Sequence, residues 1–432
     1  MSIVGTSWGR YPRVSDQTIV PLRWRDISLP TVSGTMLAYG NGRSYGDSCT
    51  NAGGTLLHTR GLDRFISFDS ASGILRCESG VLLGEILDQF VPKGWFLPVL
   101  PGTKFVTVGG AIANDVHGKN HHRAGTFGEH VLRFELLRSD GTRCECSHAT
   151  NEELFRATIG GLGLTGVITW AEISLQRISS PWMTVENLRF ANLHEFFAIS
   201  AESERDFAYT VSWIDCAAAG SALGRGVFMR ANHAPPGRDG AGSQRRLRMP
   251  FTPPISLINR VTLRAFNALY YHQHRRRHGL EHYDSYFFPL DAIADWNRIY
   301  GPRGFLQYQC VVPMDAAESA LTNLLACIKR SGSGSFLAVL KVFGDRATAG
   351  ILTFPRAGTT LALDFPNEGQ ATLDLLERLD DIVIAAGGAV YPAKDSRLKR
   401  ARFVRYFPGW EAMLPHIDPR FSSGWWRRVT EN

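Results

Sequence analysis

The chain has 432 residues, 44% of them apolar and 20% charged, with 47 Lys and Arg against 40 Asp and Glu. That length allows two or three domains with a sizeable core, and the composition is that of a soluble globular protein, which excludes disorder, collagen and coiled coil. The mild basic excess permits an anionic ligand or a membrane surface, and no nucleic-acid-binding module accompanies it.

The first third is rich in strands and punctuated by glycine. LLHTRGLDRFISFD and GILRCESGV read as short strands joined by a turn at Ser70–Gly73. VLLGEILDQFVPKGW carries apolar residues at helical spacing and stops at Pro92 and Gly94. HVLRFELLRSDGTRCECS predicts a hairpin about Asp140–Gly141. A helix over NEELFRATIG and a strand over TGVITWAEISLQ complete an α+β segment, taken as a first domain over 1–177.

DFAYTVSWID, GFLQYQCVVP, FLAVLKVFGD and TLALDFP read as strands. AAESALTNLLACIKRSG and NEGQATLDLLERLDDIVIAAGG read as helices, giving a second α+β domain over 178–388. Residues 389–432 are basic, aromatic and short of regular pattern, and are expected to return to the first domain. Within the second domain, APPGRDGAGSQRRLRMPFTPP reads as a mobile loop and ISLINRVTLRAFNALYYHQHRRRHG as a helix. Arg245, Arg246, Arg248 and Arg275–Arg277 flank that helix. Two readings stay open for it: a solvated basic rim, or a lid meeting an anionic lipid surface.

Seven cysteines lie scattered with no CxxC pair, which reads as reduced thiols in a cytosolic protein. The N-terminus lacks the apolar stretch of a secretory signal. No run of about 18 apolar residues could span a membrane.

Three glycine-rich segments carry the chemistry. Gly161–Gly166 is formally GxGxxG, yet the residues after it alternate like a strand, so the dinucleotide fingerprint fails on context. Tyr39–Asp47, YGNGRSYGD, suits either an anion-binding nest or a structural turn. PGTKFVTVGGAIANDVHGKNHHRAGTFGEH gathers His117, Lys119, Asn120, His121 and His122. The histidines lack the carboxylate or cysteine partners of a zinc motif, so no metal is expected.

GNGRSYGD, PVLPGT with TVGGAIANDVHGKNHH, and GGLGLTG resemble the flavin-binding domain of the vanillyl-alcohol-oxidase-type FAD oxidoreductases. HGKNHH, FLQYQ, KVFGD, LDFP and YPAKDSR resemble, more narrowly, the decaprenylphosphoryl-β-D-ribose 2-oxidase family. The matches run in order from about residue 38 to 397. The resemblance implies a two-domain PCMH-type FAD-binding fold, whose α+β substrate domain is built on an antiparallel sheet. Implied FAD contacts are Gly40, Asn41, Gly42, Arg43, Ser44, Tyr45, Gly46, Asp47, Gly102, Thr107, Val108, Gly109, Gly110, Asn114, Asp115, His117, Ile168 and Tyr391. Arg43 stands where many superfamily members attach FAD through histidine, so the cofactor is expected to be non-covalent. Lys394, His117 and Lys119 are the implied catalytic residues, and Tyr45, Gln307, Gln309, Lys341 and Asp364 the implied substrate contacts.

Gln307 and Gln309, two apart on a strand, point to one face and suit sugar hydroxyls. Oxidation of a secondary alcohol needs a base, for which His117 and Lys394 both remain candidates, and a positive charge beside the reduced flavin, for which Lys394 is suited. Ala362 replaces the cysteine frequent two residues before Asp364 in the family. The implied activity is oxidation of a sugar hydroxyl, C2 of a polyprenyl-phosphate ribose, as the first half of an epimerisation with a partner short-chain reductase. Oxidation of another sugar, an alditol or an aldonolactone, and a catalytically silent flavin binder, are the alternatives. The expected site is the cytoplasm, with peripheral contact at the inner membrane face.

Overall fold

The computed structural model describes residues 4–237, 247–274 and 277–431. Its largest sheet has eight strands, antiparallel throughout, in the order Arg277–His282, Trp182–Phe190, Gly226–His233, Tyr209–Ile214, Ala338–Phe343, Gly358–Pro366, Phe305–Val312, Ala389–Val390. The helices Met314–Ser331 and Gln370–Ala385 cover one face. Leu321, Leu324, Leu325 and Ile328 of the first, and Leu375, Leu376 and Leu379 of the second, pack on Tyr308, Cys310, Leu361 and Leu363 of the strands. The three- and four-residue spacing of those leucines is the apolar stripe read from sequence, and Gly332 ends the first helix at φ 72°. The opposite face of the same strands carries Gln307, Gln309, Thr360, Ala362 and Asp364, because side chains alternate along a strand.

A second, five-stranded antiparallel sheet runs Phe65–Asp69, Ile74–Glu78, Val167–Ser174, Val131–Leu137, Arg143–Ser147. Helix Leu83–Phe90 buries Ile86, Leu87 and Phe90 against its Leu75, Phe134 and Ile173. A small parallel sheet of Thr18–Pro21, Thr55–His58 and Met36–Tyr39 delivers the chain into the glycine loop at Gly40. A strand follows the Gly161–Gly166 turn directly, as its sequence required. No helix among the described residues is long and apolar enough to cross a membrane.

Four expectations need correction. LLHTRGLDRFISFD is two strands in two sheets, broken at Thr59–Gly61, where a Cβ on Gly61 would lie 2.4 Å from the Leu22 carbonyl oxygen. Trp182–Phe190, Leu193–Glu204 and Gly226–His233 are regular elements that the pattern did not announce. The helix near residue 260 is shorter than read, Arg260–Gln273, and Asn259 caps it. The tail forms helices Arg400–Tyr406 and Gly424–Thr430; its Phe403, Tyr406 and Trp425 join the core under the large sheet, while Met36 N donates to Arg420 O in the small one. It therefore meets both halves of the molecule. Arg245, Arg246, Arg275 and Arg276 lie outside the described residues.

Candidate active site

A cavity of about 580 Å³ lies between the glycine-rich loops and the polar face of the large sheet. Cross-strand register builds its floor: Gln307 pairs with Asp364, Gln309 with Ala362 and Ala362 with Val339, and Thr360 with Lys341. Three adjacent strands thus set an amide, a carboxyl, an amide, a hydroxyl and an amine on one surface. Ala362, the departure from the family pattern, lines the same wall.

Of the implied cofactor contacts, Gly40, Asn41, Gly42, Arg43, Ser44, Tyr45, Gly102, Thr107, Gly109, Gly110, Asn114, His117, Ile168 and Tyr391 line this cavity. Four do not. Val108 is buried, with its N–H donated to Val81 O. Asp115 is buried and accepts from Gly128 N at 2.9 Å and from the Thr353 hydroxyl. Gly46 is packed so closely on the 394–398 turn that a Cβ would sit 1.8 Å from Asp395 O. Asp47 accepts from Arg428 at 2.6 Å, and the same guanidinium reaches Asp395 at 3.0 Å. One arginine on the last helix therefore ties the glycine loop to the loop bearing Lys394. Asp47 and Gly46 thus hold the loop's shape.

The remaining lining explains what the loops can hold. Arg43 lies against the Trp8 ring, 4.2 Å from its centroid, and near Phe105 at 5.3 Å. Its Nε, Ser48 Oγ and Ser79 Oγ are buried, lack a protein partner and belong to residues lining the cavity. Buried donors are rarely left unpaired. With the bare backbone of Gly40, Gly42, Gly102, Gly109 and Gly110 beside them, they fit a long phosphorylated cofactor such as FAD. Trp8, Ser48, Ser79, Asp291 and Asp295 escaped the sequence reading, since no local motif marks them. Asp291 accepts from Thr103 Oγ1 at 2.8 Å and Lys104 N at 2.9 Å, so it braces the loop from the far side of the chain.

At the sheet end, Lys394 lies over the Tyr45 ring with Nζ 3.7 Å from its centroid. Burial pulls its pKa below the ordinary lysine value, and Asp364 pulls it back up. Asp364 is itself raised by burial; its Oδ1 accepts from Gln307 Nε2 at 2.5 Å and its Oδ2 is buried without a partner. His117 is fixed from both sides: Gln309 Nε2 is 2.9 Å from Nε2, and Lys341 Nζ is 3.1 Å from Nδ1. Burial, with Lys341, His121 and Lys394 nearby, keeps the imidazole neutral. Lys341 Nζ also donates to Gly118 O at 3.2 Å. Burial, with Lys119 and Lys394 nearby, lowers the Lys341 pKa to about 7.

Lys119 is the catalytic candidate that the structure sets apart. It lies outside the cavity, donates to Tyr286 O, and rests 4.2 Å from the Tyr286 ring centroid. The three histidines share no ligand geometry: His121 packs on Phe343 at 4.4 Å, and His122 Nε2 meets Phe207 O at 3.0 Å.

Comparison with known proteins agrees with this geometry. Residues 33–147 match a family model described as an FAD binding domain. The chain is 36% identical over 414 residues to a decaprenylphosphoryl-β-D-ribose oxidase of Mycolicibacterium smegmatis, covering 91% of this chain and 89% of that one. It is 35% identical over 356 residues to an uncharacterized protein of Streptomyces coelicolor, covering 78% and 93%. Similarity to the L-gulonolactone oxidase of Mus musculus, 33% identical, reaches only 132 residues, 30% of this chain and 29% of that one.

Proposed function

This chain belongs to the decaprenylphosphoryl-β-D-ribose oxidase family, and from that premise we propose that it is an FAD-dependent oxidoreductase. Its reaction takes the C2 hydroxyl of a polyprenyl-phosphate β-D-ribose to the ketone. The observation that carries the reading is the row of polar groups on three adjacent strands, facing loops whose buried donors fit FAD. We assign FAD to residues 1–177, the sugar to residues 178–388, and closure of the site to the segment 389–432.

Bound FAD supplies the hydride acceptor, held without a covalent link because an arginine side chain occupies position 43. The chain's own groups handle the sugar and the proton. Gln307, Gln309 and Thr360 offer the donors and acceptors that orient vicinal hydroxyls. Lys394 accepts the hydroxyl proton. Its Nζ has no protein hydrogen-bond acceptor, so as a free amine it presents a lone pair to the cavity. His117 is poorly suited to that role, because both ring nitrogens are engaged. Once protonated, Lys394 becomes the positive charge that the reacting centre needs as negative charge develops beside it. A reductase delivering hydride to the opposite face of the ketone would complete an epimerisation.

Anaerobic mixing with a panel of lipid-linked and soluble sugars tests this. Bleaching of the flavin absorbance by a polyprenyl-phosphate ribose, and not by free alditols or aldonolactones, is expected. Bleaching by an aldonolactone alone would overturn the substrate assignment.

A further inference from the structure

Nine of the 17 large apolar side chains that stand exposed among the described residues fall between Leu247 and Ile293. Helix Arg260–Gln273 is the centre of this surface. It is held by a narrow face: Leu263 and Asn267 are its buried residues, and Asn267 donates to Asp215 at 2.8 Å. Val261, Ala265 and Leu269, four residues apart, form a stripe turned to solvent, with Val261 76% and Leu269 57% exposed. Phe251 and Ile255, in the segment leading to the helix, are also exposed. A monomer in water rarely leaves so much apolar surface in one region without a partner.

The exposed charge of the same surface is basic, its carboxylates Glu281, Asp284 and Asp291 being half-buried or buried. Described residues 247–274 and 277–280 contain four arginines and no Asp or Glu. Arg264 and Arg277 are exposed, and Arg248 is largely so while paired with Asp295. Apolar side chains amid exposed arginines match an anionic lipid surface, where headgroups meet the cations and acyl chains the apolar stripe.

The surface is also continuous with the site. Strand Leu247–Arg248 pairs with Ile293–Ala294, and Arg248, Ile293 and Ala294 line the cavity. Phe266 packs edge-on against Phe336, the neighbour of the cavity-lining Leu337.

We propose that this helix and the segment before it dock the protein on an anionic membrane, with the cavity mouth at the lipid surface. The proposal deepens the reading of a lipid-linked substrate, but its test needs no substrate. Holoprotein is sedimented with vesicles of phosphatidylcholine alone or containing phosphatidylglycerol, at low and at high salt. The wild type is expected to pellet with the anionic vesicles, and to do so less as salt rises. The double variant Val261→Glu, Leu269→Glu should lose at least about tenfold in vesicle affinity. Both sites are exposed, so its flavin spectrum, its melting temperature and its turnover of a short-chain donor should stay unchanged. Wild type that remains in the supernatant at low salt would overturn the proposal, as would a variant that pellets equally well. A wild-type dimer that the variant splits would assign the face to a second copy instead. Vesicle binding that persists while no lipid-linked sugar bleaches the flavin would support docking and remove the substrate reading.

Discussion

Replacing Lys394 by arginine separates its two possible contributions, because a guanidinium keeps the positive charge but cannot accept a proton at any working pH. Lys394→Ala removes both. Loss of a positioned base costs about 10²–10⁴ in rate, or about 2.7–5.4 kcal/mol at 1.36 kcal/mol per decade. The structure argues that most of this belongs to proton transfer. Nζ faces the cavity, 3.7 Å from the Tyr45 ring centroid, and makes no ion pair with Asp364 within 4 Å. Folding should change little, since Lys394 Nζ is neutral when it acts as the base and its removal ends the burial of an amine. Both variants should therefore keep FAD and melt near the wild type, yet reduce the flavin at least a hundredfold more slowly in stopped flow. The pH profile gives a second readout. A base must be unprotonated, so the wild-type rate rises with pH up to the depressed lysine pKa and then flattens; both variants should lose that limb. Lys394→Arg reducing flavin within tenfold of wild type would show that charge, not proton acceptance, is what the residue supplies.

Asp364→Asn should move that acid limb to lower pH, since the carboxylate is what raises the Lys394 pKa against burial; a shift upward would contradict the pairing. Arg428→Ala leaves Asp47 and Asp395 buried without their shared partner, which should cost about 3–5 kcal/mol, seen as a lower melting temperature together with weaker FAD retention on gel filtration. Acid precipitation should release all the flavin colour into the supernatant, with none left on the pellet. Lys119 is a buried amine whose pKa falls to about 7 through desolvation, so the unfolded chain binds its proton more readily between that value and the ordinary lysine pKa. Its penalty is fully present below pH 7 and fades as pH rises. Melting curves of Lys119→Met should therefore improve relative to wild type as pH falls from about 9 to about 6.

The patterning in this chain is local and was readable where local chemistry decides. The leucine spacing in Met314–Ser331 names a helix and its buried face. The alternation in FLQYQCVV puts Gln307 and Gln309 on one side of a strand. The glycine loops, with HGKNHH and YPAKDSR, carry the family and its cofactor. Three things are invisible at that range. Gly226–His233 has a buried arginine in its middle, and Arg230 is tolerable there because Glu186, 2.8 Å away on the neighbouring strand, and Glu202, at 3.2 Å, pair with it. Asp47 sits inside a motif that reads as ligand-binding, yet its partner is Arg428, 381 residues away. Lys119 and Lys394 look alike as lysines in motifs of the same family, and only the packing of Tyr286 over one and Tyr45 under the other decides which amine opens into the cavity. Periodicity and turn chemistry act between near neighbours in the chain. Pairing of buried charge and strand register act between segments that only the closed fold brings within a few ångströms.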